Sequence, residues 1–319
     1  MTTTNKFNQL KAQLEGDLFI DNVQRVLYST DASQYKEMPL AVTKPKNKDD
    51  IKKIIAFARE NNTSIIPRGA GTSLAGQVVG NGIVVDVSKY MNKILDFNKD
   101  ENYVIVEPGV VLAELNQFLA PHGMQFGPET STANRCVIGG MLGNNSCGLH
   151  SLVYGSVREH VLEVDAILSD GSETIFKTLS KEEFQQKLNG NPNKQEKAIY
   201  TNINELLSNK ENQEEIKKNF PDPMLTRRNM GYAIDELMYA GPFTEGGGAF
   251  NFCKLLAGSE GTLAFSTRIK LNVIPLPPKF KGLVCAHFET LEESLHANLI
   301  ALKYKPTAIE LMDDPVMQA

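Results

Sequence analysis

PRGAGTSLAGQ, residues 67–77, follows a short apolar run at 64–67, so Gly69, Gly71 and Gly76 stand where a strand enters a turn. Phosphate-binding loops occupy that place, and two known spacings can be tested against it. A dinucleotide Rossmann fingerprint needs GxGxxG, but here the third glycine comes five residues after the second. A Walker A loop needs GxxxxGK; Gly71 and Gly76 have the spacing, but Gln77 stands in place of the lysine. Without that lysine a phosphoryl-transfer site loses its main side-chain contact. What remains is a turn whose backbone N–H groups can converge on an anion, helped by the hydroxyls of Thr72 and Ser73. A neutral cradle of this kind suits a pyrophosphate diester that is held and not transferred. A plain tight turn would carry the same glycines, and on this segment alone both readings stay open.

GPETSTANRCVIGGMLGNNSCGLHSLVYGSVREH (127–160) tilts the balance. The stretch is too long and too poor in apolar periodicity for an ordinary connection, and long loops of this kind usually carry function. Ser131, Thr132, Gly139, Gly140, Gly143, Asn144, Asn145, Ser146 and Gly148 supply many amides and short donors close together. Val137, Ile138, Met141 and Leu142 are interleaved and can anchor the loop in a core. A packed core has no use for so polar a composition, whereas a large ligand with flat and charged parts does. Two such segments favour a dinucleotide-sized ligand.

The rest of the composition bounds the problem. A chain of 319 residues suits about two domains at ~150 residues each and needs no disulfide or metal staple. Thirty-three Lys plus Arg against thirty-eight Asp plus Glu give a net charge of −5, which removes the electrostatic case for nucleic-acid binding. Cys136, Cys147, Cys253 and Cys285 form no CxxC, so this chain holds no zinc ribbon or ferredoxin-type cluster run, and unpaired thiols are expected. The N-terminus, MTTTNKFNQL, has no apolar core of a signal peptide, and no 18-residue apolar stretch follows. A cytoplasmic location is expected, with peripheral membrane attachment through a partner left open.

Periodicity supplies a coarse element map. Asn47 and Asp50 precede an apolar face of Ile51, Ile54, Ile55 and Ala58, predicting a capped helix that ends near Asn61-Asn62. Strands are expected at 64–67, 83–87 and 103–107, with a turn region between the last two. Pro108-Gly109 leads into a helix with Leu112, Leu115, Phe118 and Leu119 inward, stopped by Pro121 and Gly123. Residues 162–168 and 173–176 flank Ser169-Asp170-Gly171, a hairpin signal. The Lys-, Glu-, Gln- and Asn-rich run at 181–218 reads as solvated helices. A helix at 252–258, a tight turn and a long strand follow, with PLPP at 275–278 as a linker. The last forty residues predict a strand at 283–288, a helix at 291–304 and a strand beginning near 308–312.

Three separated motifs now stand in order: PRGAGTSLAGQ (67–77), the GG and YGSVR elements of 127–158, and LLAGSEGTLAFSTRIKL (255–271). Together they resemble the FAD-linked oxidase family, the flavoprotein fold shared with vanillyl-alcohol oxidase and p-cresol methylhydroxylase (PCMH). The likeness is greatest to glycolate oxidase FAD subunits, D-lactate dehydrogenases and D-2-hydroxyglutarate dehydrogenases, including members fused to an iron–sulfur module. It covers about residues 35–280 and is specific for family, much less for substrate. It implies an α+β chain: an FAD-binding PCMH-type fold of two α/β lobes, then the start of an α+β cap domain. The implied division is a helical lead-in at 1–34, an FAD-binding domain at 35–278 with lobes about 35–90 and 91–278, and a truncated cap at 279–319.

Carried over position by position, the resemblance implies that Arg68, Gly69, Ala70, Gly71, Thr72 and Ser73, with Gln77, hold the FAD pyrophosphate. Pro128, Ser131, Thr132, Gly139, Gly140, Asn144, Asn145, Ser146 and Gly148 would line the flavin and ribityl chain. Val161 would reach the adenine side through its backbone, and Glu260, Gly261 and Thr262 would close the site. No His stands between Arg68 and Gln77, where relatives with covalent flavin carry one, so the FAD is expected to be noncovalent. TRRNMGYAIDEL (226–237) resembles the family stretch that presents a basic residue to a substrate carboxylate, making Arg227 or Arg228 a candidate clamp; a pair of surface arginines is the other reading. His150 falls where relatives carry His near the flavin-binding loop, and a structural hydrogen bond is its expected role.

The implied activity is a flavin-dependent 2-hydroxy-acid dehydrogenase passing electrons to an iron–sulfur centre or quinone. Such oxidation needs a cation for the carboxylate, a base for the hydroxyl proton and a hydride acceptor. The chain offers no evident base and no metal site, so the catalytic residue is unassigned. AIELMDD (308–314) looks like the opening strand of the cap, which leads to the expectation of a chain that binds FAD yet turns over poorly. Any iron–sulfur cluster would belong to a missing C-terminal part or a partner. Another FAD-linked alcohol oxidase, a UDP-sugar reductase of the same fold, or a non-catalytic nucleotide-binding module remain as alternatives.

Overall fold

The apolar run IVVD at 83–86 sits at the centre of the first lobe. A computed structural model describes residues 3–222, 224, 225, 227, 228 and 231–318. Its first elements are α1 (Thr3–Gln13), β1 (Asp17–Phe19), α2 (Asn22–Leu27), β2 (Ala41–Lys44), α3 (Lys48–Glu60), β3 (Ile65–Arg68) and β4 (Ile83–Asp86). The strands pair in the order β1-β2-β4-β3, with β4 parallel to both β2 and β3, and β1 antiparallel to β2. All of β4 is buried, which is why its sequence is continuously apolar up to Asp86 and does not alternate.

The amphipathic helix α3 begins as its sequence predicts. Asn47 accepts a hydrogen bond from the Asp50 N–H at 3.0 Å, a cap that stabilises such a helix by about 1 kcal/mol. Ile51, Ile54, Ile55 and Ala58 all face the first core, together with Phe7, Leu10 and Leu18. Within residues 1–34 the structure has α1, α2 and also β1, because Leu18 and its neighbours add an edge strand against Val42–Lys44.

The second lobe continues with β5 (Ile94–Asn98), β6 (Tyr103–Val106), α4 (Leu112–Leu119), β7 (Met124–Gln125), α5 (Ile138–Asn144), α6 (Ser151–Tyr154) and α7 (Val157–His160). After these come β8 (Val161–Ile167), β9 (Glu173–Leu179), α8 (Lys181–Asn189), α9 (Lys194–Ser208), α10 (Lys210–Asn219) and α11 (Ile234–Met238). It closes with β10 (Phe250–Asn251), α12 (Cys253–Leu256), β11 (Phe265–Asn272) and β12 (Ile274–Pro275). Six strands form an antiparallel sheet in the order β10-β9-β8-β11-β6-β5, so β11, late in the chain, is inserted between β8 and β6. Ile167 of β8 and Phe265 of β11 reach into the first core, and Lys48 and Lys52 of α3 pair with Glu173 of β9. The two lobes are thereby locked side by side.

Several expectations need correction. The turn region before β6 contains β5, an edge strand with an irregular register between Ile94 and Asp96. The long polar stretch 127–160 contains α5, α6 and α7, helices too short to show periodicity. Phe118 is 39% exposed, not inward, and packs edge-on against Phe97. Ile274 and Pro275, the first of them just ahead of PLPP and the second its first residue, pair with β7.

Beyond residue 278 the strands expected at 283–288 and 308–312 are absent, and only α13 (Leu291–Leu302) and α14 (Asp314–Gln318) form. Leu283 and Val284 are about nine-tenths exposed, with no neighbouring strand to accept their backbone bonds. No helix among the described residues is long and apolar enough to cross a membrane.

Candidate cofactor site

The glycine turn after β3 is shaped from beneath by Arg68. Its Nη2 donates to the Thr30 carbonyl at 2.9 Å, and its guanidinium lies 5.1 Å from the Tyr28 ring centroid. The Tyr28 hydroxyl donates to Asp86 at 2.6 Å, and burial together with that carboxylate pushes the phenol well above its usual range. Gly71 follows with φ +67°, and a Cβ there would meet Arg68 Nη2 at 2.6 Å. Only glycine takes this turn without strain. Tyr28 and Thr30 carry no sequence signal; they meet Arg68 only through folding of the lead-in.

Opposite that turn lies the start of α5. A Cβ at Gly69 would meet the Val137 side chain at 2.4 Å, and one at Gly139 would meet Pro108 at 2.7 Å. Gly69 thus lets the two lobes approach closely, and Gly139 lets α5 pack against the turn after β6. Gly140 differs: a Cβ there would have nothing nearer than 3.8 Å, because its open side faces the space between the lobes.

That space is a cavity of about 460 Å³. It is walled by Arg68 to Ser73 and Gln77 from one side, by Ser131, Thr132, Gly139, Gly140, Asn144 and Ser146 from another, and by Glu260 and Gly261 from the third. Fifteen of the residues inferred from sequence thus meet on one surface, although they come from three distant segments. Pro128, Asn145, Gly148, Val161 and Thr262 do not line it. Pro128, Asn145 and Val161 are buried behind the wall, where Asn145 Oδ1 accepts from the Arg158 N–H at 2.8 Å. Gly148 packs against the Glu129 backbone, and Thr262 bonds the Ser259 carbonyl and the Tyr232 hydroxyl. Lining residues that sequence reasoning missed include Val78, Val87, Pro108, Leu256, Phe265 and Ser266. Val87, Pro108 and Phe265 are apolar residues at or just beyond strand ends, and nothing local distinguishes them from core.

Arg68 and Glu260 are the charged side chains of the lining. Glu260 adopts φ +51° and takes a hydrogen bond from Asn144 Nδ2 at 3.1 Å. Burial raises its carboxyl above the ordinary value, against the lowering effect of Asn144 and Gln77. Its segment is fixed to α5 by the Gly258 and Glu260 N–H groups, which donate to Leu142 and Gly143 carbonyls. Buried Arg158 ties the same segment down with bonds to the carbonyls of Lys254 and Ala257.

Of the two candidate clamps, Arg228 is committed to Asp235 and Glu236. Arg227 is exposed, and its Nε donates to Cys147 Sγ at 3.3 Å, placing it beside a residue of the cavity wall. His150 Nδ1 is hydrogen-bonded to the Glu129 carboxylate. Among the described residues no group of three His, Cys, Asp or Glu could hold a metal.

The cavity fits FAD by its own features: glycine walls open to the interior, a cation under the turn, no lysine, and hydroxyl and amide donors along α5. Residues 39–176 match the family of the FAD binding domain. This stretch is an FAD-binding domain. Over 307 residues, 95% of its length, the chain is 33% identical to a D-2-hydroxyglutarate dehydrogenase of Haemophilus influenzae, covering 29% of that protein. It is 35% identical over 317 residues to the Escherichia coli protein of the same name, covering 98% of this chain and 30% of that one. The chain therefore spans about three-tenths of the length of these relatives. A solved alkyldihydroxyacetonephosphate synthase superposes with TM-score 0.62 at 18% identity, over 97% of this chain and 47% of that one, which shows the fold. In the FAD-binding domain the turn at 68–73 would take the pyrophosphate, and the α5 wall the ribityl and flavin portions.

Proposed function

We propose that this chain is the flavin-binding part of a 2-hydroxy-acid dehydrogenase of the D-lactate, glycolate or D-2-hydroxyglutarate type. The observation that carries the reading is the placement of Arg227 beside Cys147 at the cavity wall, while Arg228 is neutralised by Asp235. Among the described residues Arg227 forms no ion pair, and a guanidinium beside the cavity wall is suited to hold a small carboxylate bidentately. The similarity to D-2-hydroxyglutarate dehydrogenases supports the same substrate class.

Bound FAD supplies a two-electron hydride acceptor. The chain's own residues do the rest: Arg227 fixes the carboxylate, and the α5 and 258–262 walls exclude water around the reacting carbon. Electrons pass on to an iron–sulfur centre or a quinone held by other polypeptide, since the four cysteines here stand apart. The setting is cytoplasmic, with contact to a membrane through the acceptor.

Anaerobic mixing of the FAD-loaded chain with D-2-hydroxyglutarate, D-lactate or glycolate tests the reading. Bleaching of the flavin band by one of these acids is expected. Bleaching by NADPH alone would overturn it in favour of a reductase, and failure to acquire a flavin band would overturn the cofactor assignment as well.

A further inference from the structure

Residues 28–37 do not line the cavity, yet they grip the turn that walls it. Tyr28 anchors their first end. Its hydroxyl donates at 2.6 Å to one oxygen of Asp86, whose other oxygen accepts from the Ser88 N–H at 2.8 Å. Burial and that carboxylate keep the phenol protonated, so it stays a donor. Arg68 reaches back under the turn, donating to the Thr30 carbonyl at 2.9 Å and to the Tyr28 and Val78 carbonyls at 3.4 and 3.5 Å. The Ala32 N–H donates to the Gly71 carbonyl at 3.0 Å. The Tyr35 ring lies against Gly76, where an added Cβ would meet its Cδ2 at 2.8 Å. The segment also closes on itself, by an antiparallel bridge between Thr30 and Lys36 and a bond from the Glu37 N–H to the Ser29 carbonyl at 2.9 Å. It is a strap fastened at Arg68, Gly71 and Gly76, along the whole length of one glycine-rich turn.

We propose that this strap positions the turn for the cofactor's pyrophosphate, with Tyr28 as its positioning residue. The inference rests on the placement of the pyrophosphate at 68–73 given above. Backbone N–H groups converge on an anion only while the turn keeps one conformation. Gly71, at φ +67°, has more alternatives open to it than any other residue type would. The strap removes that freedom from outside the cavity.

Arg68 supplies the link between strap and anion. Its acceptors are neutral carbonyls, and among the described residues it forms no ion pair. Burial disfavours its charge, with Tyr28, Asp86 and Asp31 acting the other way. A pyrophosphate on the open face of the turn favours a guanidinium held at this place, so cofactor and strap stabilise the same arrangement. Coupling of this kind is reciprocal: what loosens the strap weakens the cofactor, and the cofactor holds the strap down. Most of the strap is exposed and a handful of bonds hold it, so its opening is a local event of low cost.

Two variants of the full chain test the proposal. Y28F removes one hydroxyl and keeps the ring that Lys44 and Arg68 approach to 5.5 and 5.1 Å. Its dissociation constant for FAD, read by flavin fluorescence, is expected to rise about tenfold. The inhibition constant of ADP, which carries the pyrophosphate without the flavin, is expected to rise by the same factor. Y35A alters an exposed residue outside both cores, and it is expected to weaken both ligands several-fold. Tryptic cleavage after Lys36 reads the strap itself. Saturating FAD is expected to slow that cut about tenfold or more in the wild type, although Lys36 does not line the cavity. In the FAD-free chain Y28F is expected to speed it by a similar factor. A merely structural strap would also be cut faster in Y28F, but FAD would not protect it and the ADP constant would not move. Unchanged FAD and ADP constants in both variants, or no protection of Lys36 by FAD in the wild type, would overturn the proposal and leave the cofactor site intact. FAD that ADP does not displace from the wild type would overturn the placement of the pyrophosphate at 68–73. A wild type that binds no FAD would overturn the cofactor assignment itself.

Discussion

Arg158 Nη2 donates to the Ala257 carbonyl at 2.7 Å, across 99 positions of sequence. The same guanidinium reaches the carbonyls of Lys254, Arg228 and Gly231, and its backbone N–H reaches Asn145. It is 2% exposed and has no carboxylate within ion-pair distance among the described residues. One buried guanidinium thus ties the 254–257 segment to the carbonyls of Arg228 and Gly231, while the backbone N–H of the same residue holds the end of α5. Replacing Arg158 by Met leaves several buried carbonyls without a donor, at about 1–3 kcal/mol each. A loss of roughly 3 kcal/mol or more in urea-unfolding stability is expected, with FAD affinity falling in parallel. Lys at 158 should recover only part, since one ammonium cannot span both segments. Unchanged stability in R158M would show that water replaces those bonds.

Gly140 separates the cavity from the fold. Its Cβ position is open in the structure and lies within α5, so Ala there gains helix propensity of up to about 1 kcal/mol. The methyl projects into space that FAD is to occupy. G140A is expected to keep or raise the melting temperature of the FAD-free chain while weakening FAD by roughly ten- to a hundredfold. Isothermal titration checks the affinity. Full affinity in G140A would move the cofactor away from this wall.

Much of this arrangement was legible because it is local. The Asn47 cap, the apolar face of α3, the glycine turn at 69–71 and the GSEGT segment each announce themselves within a dozen residues. Arg227 and Arg228 look equivalent in sequence; only the position of Asp235 on α11 distinguishes them. Tyr28, Val87 and Phe265 became site residues through pairing of strands distant in sequence, which no local pattern encodes. The strands expected at 283–288 and 308–312 show the converse. Their alternation is suitable, but a strand needs a partner edge, and none lies beside them here.

Glu260 gives the site a pH dependence with a definite sign. Its carboxyl is raised above 4.5 by burial, so the folded state disfavours the ionised form relative to the unfolded chain. The stabilisation it contributes is complete below about pH 4.5 and is lost as pH rises through the raised native value. E260Q keeps an acceptor for Asn144 and cannot ionise. The stability difference between E260Q and wild type is therefore expected to shift in favour of E260Q from pH 4 to pH 7.5. Chemical denaturation at the two pH values measures it, and a shift in the opposite sense would mean that Glu260 is held as a carboxylate.

The four thiols should separate by environment. Cys285 is exposed, Cys147 is half-buried on the cavity wall, and Cys136 and Cys253 are buried. Burial also pushes the Cys253 thiol well above its usual range, and its Sγ donates to the Phe176 carbonyl at 3.3 Å. Thiolate fraction and access together set reactivity. With Ellman's reagent one fast equivalent is expected from Cys285 and one slower from Cys147, the remaining two reacting only after unfolding. Because Cys147 shares its wall with Ser146 and Gly140, FAD should slow the second equivalent and leave the first unchanged. C147S identifies that phase by removing it. A second phase indifferent to FAD would place the flavin on the far side of α5 from Cys147, and would separate Arg227 from the reacting carbon.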